Sequence, residues 1–291
     1  MNFDAPLSGS DQGWNSDVLA LKYFRNSETQ RGNAFGWILK CYPPSEFAHR
    51  AVHIIDYGCG DGKISAMLAQ MILPSNGTVT AVDISEHLLK IAQSRFQSQT
   101  LYPNLKFIHE DSSVAENISN SELIPLADVI TMSMVGHLLQ DPLQTLKNLR
   151  RKLKPNGKFI AILPLSPCVE MKQAMQEQLE HFNVHRNSRP SGHRTLLNES
   201  ECQEILTEAG FHRIATIQES TLNSFVNVDD FVDWCVGTLT ANWNIPLSQS
   251  VPLFESIAKR FIELKPSSIL STGAMQIEDT LLKVYGEAGD D

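Results

Sequence analysis

The residues whose chemistry is most readable in this sequence form a glycine-rich turn at Asp56–Gly62, with the sequence DYGCGDG. Three glycines stand there at alternate positions, directly after the apolar residues of a predicted strand at His53–Ile55. Glycine permits a sharp turn with positive φ and lets the main chain approach a ligand with no Cβ in the way. The apolar spacing of residues 63–72 predicts a helix, whose first amide groups would face the same ligand. The turn therefore predicts a binding site between a strand and a helix.

A second strand is predicted over Thr78–Val82, and Asp83 stands at its carboxyl end. In a strand–helix–strand unit, an acid about twenty residues beyond a glycine turn typically binds the ribose hydroxyls of an adenosine cofactor. Dinucleotide-binding folds use the spacing G-x-G-x-x-G, whereas this turn is D-x-G-x-G-x-G and begins with Asp56. Asp56 would repel a pyrophosphate but can pair with an ammonium group. The pattern favours S-adenosylmethionine, and an NAD(P)-dependent oxidoreductase stays open as an alternative.

Together these residues resemble the first motif and the ribose-binding acid of the class I S-adenosylmethionine-dependent methyltransferases. The segment Leu153–Gly157 is similar to the L-K-P-G-G turn of that family, with Asn156 in place of one glycine; asparagine tolerates a left-handed φ. The resemblance implies that Asp111 and Ser112 lie beside the adenine amino group, where Asp111 would otherwise be an ordinary turn or capping acid. Ile84 would lie against the adenine or in the core. The residues expected to contact the cofactor are Asp56, Gly58, Cys59, Gly60, Gly62, Asp83, Ile84, Asp111, Ser112 and Met132.

The loop Met132–Asp141 follows the predicted fourth strand, and in open α/β sheets ligands bind beyond the carboxyl ends of the strands. We therefore expect Met132, Ser133 and Met134 to lie near the sulfonium group. His137 is the clearest titratable group of this loop, and it would act as a general base or donate a hydrogen bond to the substrate. The alternative is a packing histidine at the start of the next helix.

A narrower resemblance rests on Tyr23, Ser27–Gln30, the loop Gly136–Asp141 and an aromatic C-terminal segment. These features resemble the small-molecule carboxyl methyltransferases, which include the trans-aconitate and juvenile-hormone-acid enzymes, with the malonyl-carrier-protein enzyme nearby. The resemblance implies that Tyr23 and Gln30 close over cofactor and substrate; the alternative is packing on a helix surface. Those enzymes often have a tryptophan that lines the acceptor site where this chain has Leu138, so the resemblance leaves the acceptor unidentified.

The elements that must position these residues alternate between strands and helices, which predicts a doubly wound α/β fold with a mainly parallel sheet. The resemblance implies a Rossmann-like sheet of seven strands with a reversed last strand, N-terminal helices and a helical C-terminal cap. Strands are predicted at residues 53–55, 78–82, 105–109, 127–132, 159–163 and 211–218, with 276–285 as a seventh strand or a helix. Helices are predicted within residues 16–40 and 227–264 and at 63–72, 86–96, 142–153 and 199–208. We expect an N-terminal helical cap at 1–50, the cofactor-binding core at 51–164, and the rest of the sheet with the substrate cap at 165–291.

Composition limits the possible partners. The formal net charge of −9 argues against binding nucleic acid through its phosphates. The five cysteines are scattered and lack C-x-x-C spacing, which predicts a reducing compartment, no disulfides and no metal site. We read no signal peptide and no apolar run of the ~18 residues that span a bilayer. These observations predict a soluble cytoplasmic protein with a small-molecule substrate and no nucleic-acid or membrane partner, and they leave the oligomeric state open.

The predicted function is methyl transfer from S-adenosylmethionine to a small molecule, with in-line attack by a carboxylate oxygen. Such a transfer depends mainly on positioning and on exclusion of water, so it requires no particular catalytic side chain. A protein, carrier-protein or tRNA methyltransferase is an alternative. A non-catalytic module that binds S-adenosylmethionine or a partner protein is an alternative of another class.

Overall fold

The computed structural model describes residues 17–110, 123–184, 196, 198–243 and 245–289. The strands in this part of the chain are β1 His53–Tyr57, β2 Thr78–Asp83, β3 Leu105–His109, β4 Ala127–Ser133, β5 Leu153–Pro167, β6 Phe211–Phe225 and β7 Met275–Ala288. The helices there are α1 Asp17–Asn26, α2 Glu28–Cys41, α3 Lys63–Ile72, α4 Glu86–Phe96, α5 Pro142–Arg151, α6 Val169–His181, α7 Glu199–Glu208, α8 Val228–Trp243 and α9 Leu247–Leu264.

The strands form one seven-stranded sheet in the order β3-β2-β1-β4-β5-β7-β6. The pairs β1–β2, β2–β3, β1–β4 and β4–β5 are parallel, which confirms the predicted seven-stranded, mainly parallel sheet. Asp56 lies in register with Ala81 of β2 and Thr131 of β4. The strand order reverses between β1 and β4, and in such sheets the crevice outside the carboxyl ends at this point is where ligands bind.

Several predicted elements agree with the structure to the residue, because their boundaries are local. Helices α3, α4 and α7 and strand β3 have the predicted bounds. The Ser85 side chain caps α4 by accepting a hydrogen bond from the Leu88 amide at 3.2 Å. Asp141 caps α5 by accepting from the Gln144 amide at 2.9 Å, and Pro142 occupies the first helical position.

Other boundaries were predicted wrongly. Strand β5 begins at Leu153 rather than Phe159, because Leu153 already pairs with Ala127 and the predicted turn is an irregularity within the strand. The same pairing ends α5 at Arg151, two residues earlier than predicted. Within the irregularity Asn156 has φ +60°, as expected for asparagine in place of glycine. Strand β6 continues to Phe225, the helical alternative for β7 is wrong, and α6 was not predicted.

The described residues within 29–166, 192–221 and 279–291 form one compact unit, here called the sheet unit. Alternate residues of a strand point to opposite faces of a sheet. Helices cover both faces of this sheet. Ile55 and Tyr57 of β1 belong to a buried cluster with residues of α5 and α7, whereas Ile54 belongs to a second cluster with residues of α2, α3 and α4. The polar groups at the carboxyl ends of β1 and β2 are therefore held by a rigid, two-sided core.

The described residues within 1–28, 167–191 and 222–278 form the second compact unit, here called the helical unit. Its buried cluster is rich in aromatic residues, with the rings of Phe225 and Phe231 5.3 Å apart and those of Phe231 and Trp234 6.2 Å apart. Helix α1 packs closely on α8, since a Cβ at Gly237 would lie 2.6 Å from the Tyr23 amide nitrogen. The helices predicted within residues 227–264 are confirmed as α8 and α9. Their role as a substrate cap stays a prediction, as do the boundaries at residues 50 and 164.

Candidate functional site

The glycine turn joins β1 to α3 and is fastened to the end of β2. Gly58, Gly60 and Gly62 have φ values of +71°, +55° and +74°, which are left-handed values that favour glycine. The amide groups of Gly58 and Cys59 donate to the carbonyl oxygen of Val82 at 2.8 and 3.0 Å. The main chain of the turn therefore follows the path that the alternate glycines predicted, directly beside the end of β2.

Two of these glycines also make room for neighbouring side chains. A Cβ at Gly58 would lie 2.2 Å from Val135 Cγ2, and a Cβ at Gly62 would lie 2.7 Å from the Phe107 ring and 2.8 Å from Ala92. Any other residue at either position would collide with the loop after β4 or with the α4–β3 layer. This packing reason for glycine was not visible in the sequence, because the contacting residues lie far along the chain.

Asp83 at the end of β2 holds the glycine turn in place. One carboxylate oxygen accepts from the Gly60 amide at 2.6 Å and the other accepts from the Ser85 amide at 2.8 Å. The side chain is buried, and burial raises its pKa above the ordinary range. Ile84 is 47% exposed, so the alternative that it belongs to the core is wrong. A carboxylate oxygen can accept more than one hydrogen bond, so the predicted ribose contact of Asp83 is chemically feasible and stays a prediction.

Asp56 is buried at the end of β1, where neighbouring elements supply hydroxyl groups. The Ser65 hydroxyl donates to one carboxylate oxygen at 2.5 Å, and the Thr131 hydroxyl donates to the other at 2.8 Å. Burial raises the pKa of Asp56 to about 6, and the charges of Asp83 and Asp61 add to this rise while the two hydroxyl groups oppose it. Because Asp56 is only 2% exposed, it can act on a ligand mainly as a fixed negative charge beside the turn.

The third acid of this region, Asp61, forms a buried ion pair with Arg31 of α2. Asp61 also accepts a hydrogen bond from the Lys63 amide at 3.2 Å, so it caps α3 in place of Gly62, which has no side chain. Burial raises the pKa of Asp61, and the Arg31 guanidinium opposes that rise. The ion pair ties α2 to the glycine turn. Sequence reasoning missed it, because no local pattern links residues 30 positions apart.

The two residues expected to close over the ligands belong to different units. Gln30 precedes Arg31 on α2 of the sheet unit, and its Oε1 atom is buried without a hydrogen-bond partner among the described residues. Tyr23 lies on α1 of the helical unit, where its carbonyl oxygen accepts from the Ser27 hydroxyl at 2.5 Å. An unsatisfied buried amide oxygen is unfavourable, and a ligand donor would relieve it. Both roles stay predictions.

The loop after β4 is where the methyl acceptor was expected. Met132 is fully buried in the core, so any cofactor contact there is left to its main chain, and the Cys59 side chain is also in the core. Met134 has φ +57°, and its amide donates to the carbonyl oxygen of Ile162 at 2.8 Å. His137 is half-buried on a short 3-10 helix at Gly136–Leu138, separate from α5.

Asp111 and Ser112, predicted beside the adenine, lie outside the described residues. Within the described ranges, no three His, Cys, Asp or Glu side chains are grouped so that they could hold a metal ion. None of the helices described above has both the length and the apolar character needed to cross a membrane.

The sequence profile of a family described as a methyltransferase domain matches residues 48–210, which include the glycine turn and the loop after β4. The malonyl-[acyl-carrier protein] O-methyltransferase of Paenibacillus sp. (strain JDR-2) is 24% identical over 181 residues, covering 62% of each chain. The ubiquinone biosynthesis O-methyltransferase of Coxiella burnetii is 30% identical over 119 residues, covering 40% of this chain and 46% of that protein. The chain therefore matches less than two thirds of the length of these curated relatives.

Solved structures of low sequence identity share the fold. Phosphoethanolamine N-methyltransferase 2 of Haemonchus contortus has a TM-score of 0.58 at 14% identity, covering 96% of this chain and 59% of that one. The [4+2]-cyclase SpnF has a TM-score of 0.52 at 13% identity, covering 89% of this chain and 81% of that one. Since one of these proteins is named as a cyclase, likeness of fold alone does not identify the reaction.

Proposed function

Because this chain belongs to the methyltransferase domain family, we propose that it binds S-adenosylmethionine at the glycine turn and methylates a carboxylate oxygen of a small molecule. When bound, S-adenosylmethionine supplies a methyl group that its sulfonium already activates. The work left to the chain is to bind and orient both ligands and to exclude water from them. The positions and charges of its residues therefore matter more for this reaction than an acid–base pair.

One observation carries the choice of cofactor: three buried carboxylates surround the glycine turn. Asp83 and Asp61 both contribute to the raised pKa of Asp56, so the three groups are close enough to interact. Arg31 forms an ion pair with one of them, Asp61. A pyrophosphate brought into these surroundings would be repelled, whereas the ammonium and sulfonium groups of S-adenosylmethionine would be attracted. The acidic surroundings therefore support S-adenosylmethionine over the NAD(P) alternative.

The other residues of the site would each contact a different part of the cofactor. Asp83 would hold the ribose hydroxyls, and the exposed side chain of Ile84 would lie against the adenine. The buried Oε1 atom of Gln30 would accept a hydrogen bond from a bound ligand. Asp56 would attract the ammonium group through its charge, since its oxygens already receive two hydroxyl hydrogen bonds.

The acceptor class rests on the chemistry of the loop after β4. Residues 132–141 include no lysine or arginine, and His137 is their clearest candidate for a proton acceptor. A carboxylate attacks a methyl group without losing a proton, so it suits a loop that has no dedicated base. The malonyl-[acyl-carrier protein] enzyme among the relatives is named for an acceptor that has a carboxyl group. That name supports a carrier-bound acid as the second candidate.

Calorimetric titration with S-adenosylmethionine, S-adenosylhomocysteine and NADH tests the cofactor. Ile84→Asp places a charge at the adenine face without disturbing the core, and we expect it to weaken binding of S-adenosylmethionine at least tenfold. Leu101→Asp is the matched control, because this exposed leucine precedes β3 and so lies at the amino edge of the sheet. Binding that Ile84→Asp leaves unchanged would contradict the site, and binding of NADH alone would contradict the cofactor.

Transfer of a labelled methyl group to a panel of acceptors tests the reaction. The panel contains small di- and tricarboxylic acids, a malonyl-carrier protein, amines, alcohols and tRNA. A carboxyl methyl ester releases labelled methanol in mild alkali, whereas methylated amines and ethers do not. Label released from small acids supports the proposal, and label on the carrier protein supports the second candidate. Tight binding of S-adenosylmethionine with no transfer to any acceptor would favour the non-catalytic module instead.

A further inference from the structure

The main chain at Met134 has a conformation that methionine rarely adopts. Asn76, Asn156, Asn183 and Arg213 are the other described non-glycine residues with positive φ. Asparagine tolerates this region because its short polar side chain bonds locally, whereas methionine has no such compensation. Strain of this kind persists only where the surrounding structure enforces it, and such residues are concentrated at functional sites.

Three packing features hold the strained residue in place. The Met134 amide donates to the Ile162 carbonyl oxygen at 2.8 Å, which continues the parallel pairing of Ser133 with Ile162. The Met134 side chain packs, partly buried, against the core cluster that includes Cys59. The next residue, Val135, fills the space above Gly58 where a Cβ would lie 2.2 Å from its Cγ2 atom.

Gly136, the residue after Val135, is also closely packed. Gly136 is buried, and a Cβ there would lie 2.5 Å from Leu163, 2.9 Å from Leu196 and 3.1 Å from Met132. The 3-10 helix that presents His137 begins at this glycine. The direction of that helix is therefore set by the left-handed main-chain conformation of Met134 and by the contact of Val135 with the glycine turn.

We propose that Met134 is a positioning residue: its left-handed conformation, clamped by Val135 over Gly58, aligns the His137 turn with the glycine turn. This inference rests on the proposed function, in which the glycine turn binds the methyl donor and the His137 turn faces the acceptor. Met134 acts through the main chain and need not touch either ligand. A small displacement of a correctly oriented group is enough to slow a transfer that depends on alignment.

Two substitutions of similar size separate the φ requirement from the side chain. Both variants lose the methionine packing. Met134→Asn tolerates positive φ, whereas Met134→Val strongly disfavours positive φ because valine is β-branched. We expect Met134→Val to lower kcat about 100-fold and Met134→Asn to remain within about tenfold of wild type. The affinity for S-adenosylmethionine, measured in parallel, should change less than kcat in both. If Met134→Val does not fold, Met134→Ala replaces it, because alanine also resists positive φ.

Amide hydrogen exchange of residues 133–138 provides a readout that does not depend on activity. Met134→Asn should keep the wild-type protection of the amide bonded to Ile162, and Met134→Val should lose it. Equal kcat values, or equal protection, in the two variants would overturn the inference. If the wild-type protein transfers no methyl group to any acceptor, the proposed function fails, and the exchange comparison still decides whether positive φ at Met134 holds this loop in place.

Discussion

The Cγ2 atom of Val135 lies 2.2 Å from the position that a Cβ at Gly58 would occupy. Gly58 begins the glycine turn after β1, and Val135 belongs to the loop after β4, so this contact joins the candidate donor and acceptor sites. Glycine is required at position 58 for two independent reasons: its φ of +71° and the presence of Val135. The glycine turn and the loop after β4 are thereby packed against each other at the carboxyl ends of neighbouring strands.

The first prediction concerns this contact. Gly58→Ala should lower the free energy of unfolding by about 2–4 kcal/mol, through overpacking and an unfavourable φ. Adding Val135→Ala should remove the overpacking part, so the double variant should be more stable than the sum of the single effects by about 1–2 kcal/mol. Chemical denaturation with unchanged m-values measures both. Gly32→Ala, on α2 with no atom within 4 Å of the new Cβ, is the control and should stabilise slightly. Purely additive effects at Gly58 and Val135 would contradict the contact.

The second prediction uses the raised pKa of Asp56. The folded protein holds a proton on Asp56 up to about pH 6, whereas the unfolded chain releases it near pH 4. The contribution of Asp56 to the free energy of unfolding is therefore largest below pH 4 and is lost as the pH rises to 6, by up to about 3 kcal/mol. Asp56→Asn removes this dependence and can still bond Ser65 and Thr131.

We therefore expect the stability of Asp56→Asn relative to wild type to increase between pH 4 and 6 and then to level off. Chemical denaturation across this range measures it. The same variant should bind S-adenosylmethionine more weakly at pH 7.5, because the attracting charge is gone. A stability difference that does not change with pH would show that Asp56 has no raised pKa in the folded protein.

The third prediction concerns the buried ion pair between Arg31 and Asp61. Removal of one partner leaves an uncompensated buried charge, so Arg31→Met should cost about 3–5 kcal/mol. Arg31→Met combined with Asp61→Asn removes both charges and should recover much of that loss. Thermal and chemical unfolding measure the stabilities, and proteolysis near α2 reports whether the helix detaches. If the double variant is no more stable than Arg31→Met, the two side chains do not interact as the structure indicates.

The fourth prediction separates the roles of His137. Glutamine donates and accepts hydrogen bonds but cannot accept a proton at neutral pH, whereas alanine does neither. With a carboxylate acceptor, His137→Gln should keep most of the wild-type kcat and His137→Ala should raise the KM of the acceptor. With an amine or alcohol acceptor that needs a base, both variants should lose about 10²–10⁴-fold in kcat. Steady-state kinetics on the identified acceptor decide between these outcomes.

Local rules predicted the elements whose ends depend on nearby residues. The start of α4 follows from Ser85, whose hydroxyl accepts a hydrogen bond from an amide three residues away. The same rules failed at Leu153, where pairing with Ala127 draws the start of the predicted turn into β5. They also missed α6, which lies between two expected strands. A sequence pattern involves only a few neighbouring residues. Pairing in a parallel sheet joins residues that are far apart in the chain, so it can change a boundary that the local pattern predicts.

The residue types of the candidate site could be predicted from the sequence. The alternate glycines, the acids at the ends of two strands and the family resemblance were all readable, because the chemistry lies in short motifs whose residues are close in the chain. How those groups are held depends on contacts between distant parts of the chain. The parallel sheet brings Thr131 to Asp56, α2 brings Arg31 to Asp61, and the loop after β4 brings Val135 to Gly58. These contacts join residues 30 to 77 positions apart, so they follow from packing and not from any local pattern.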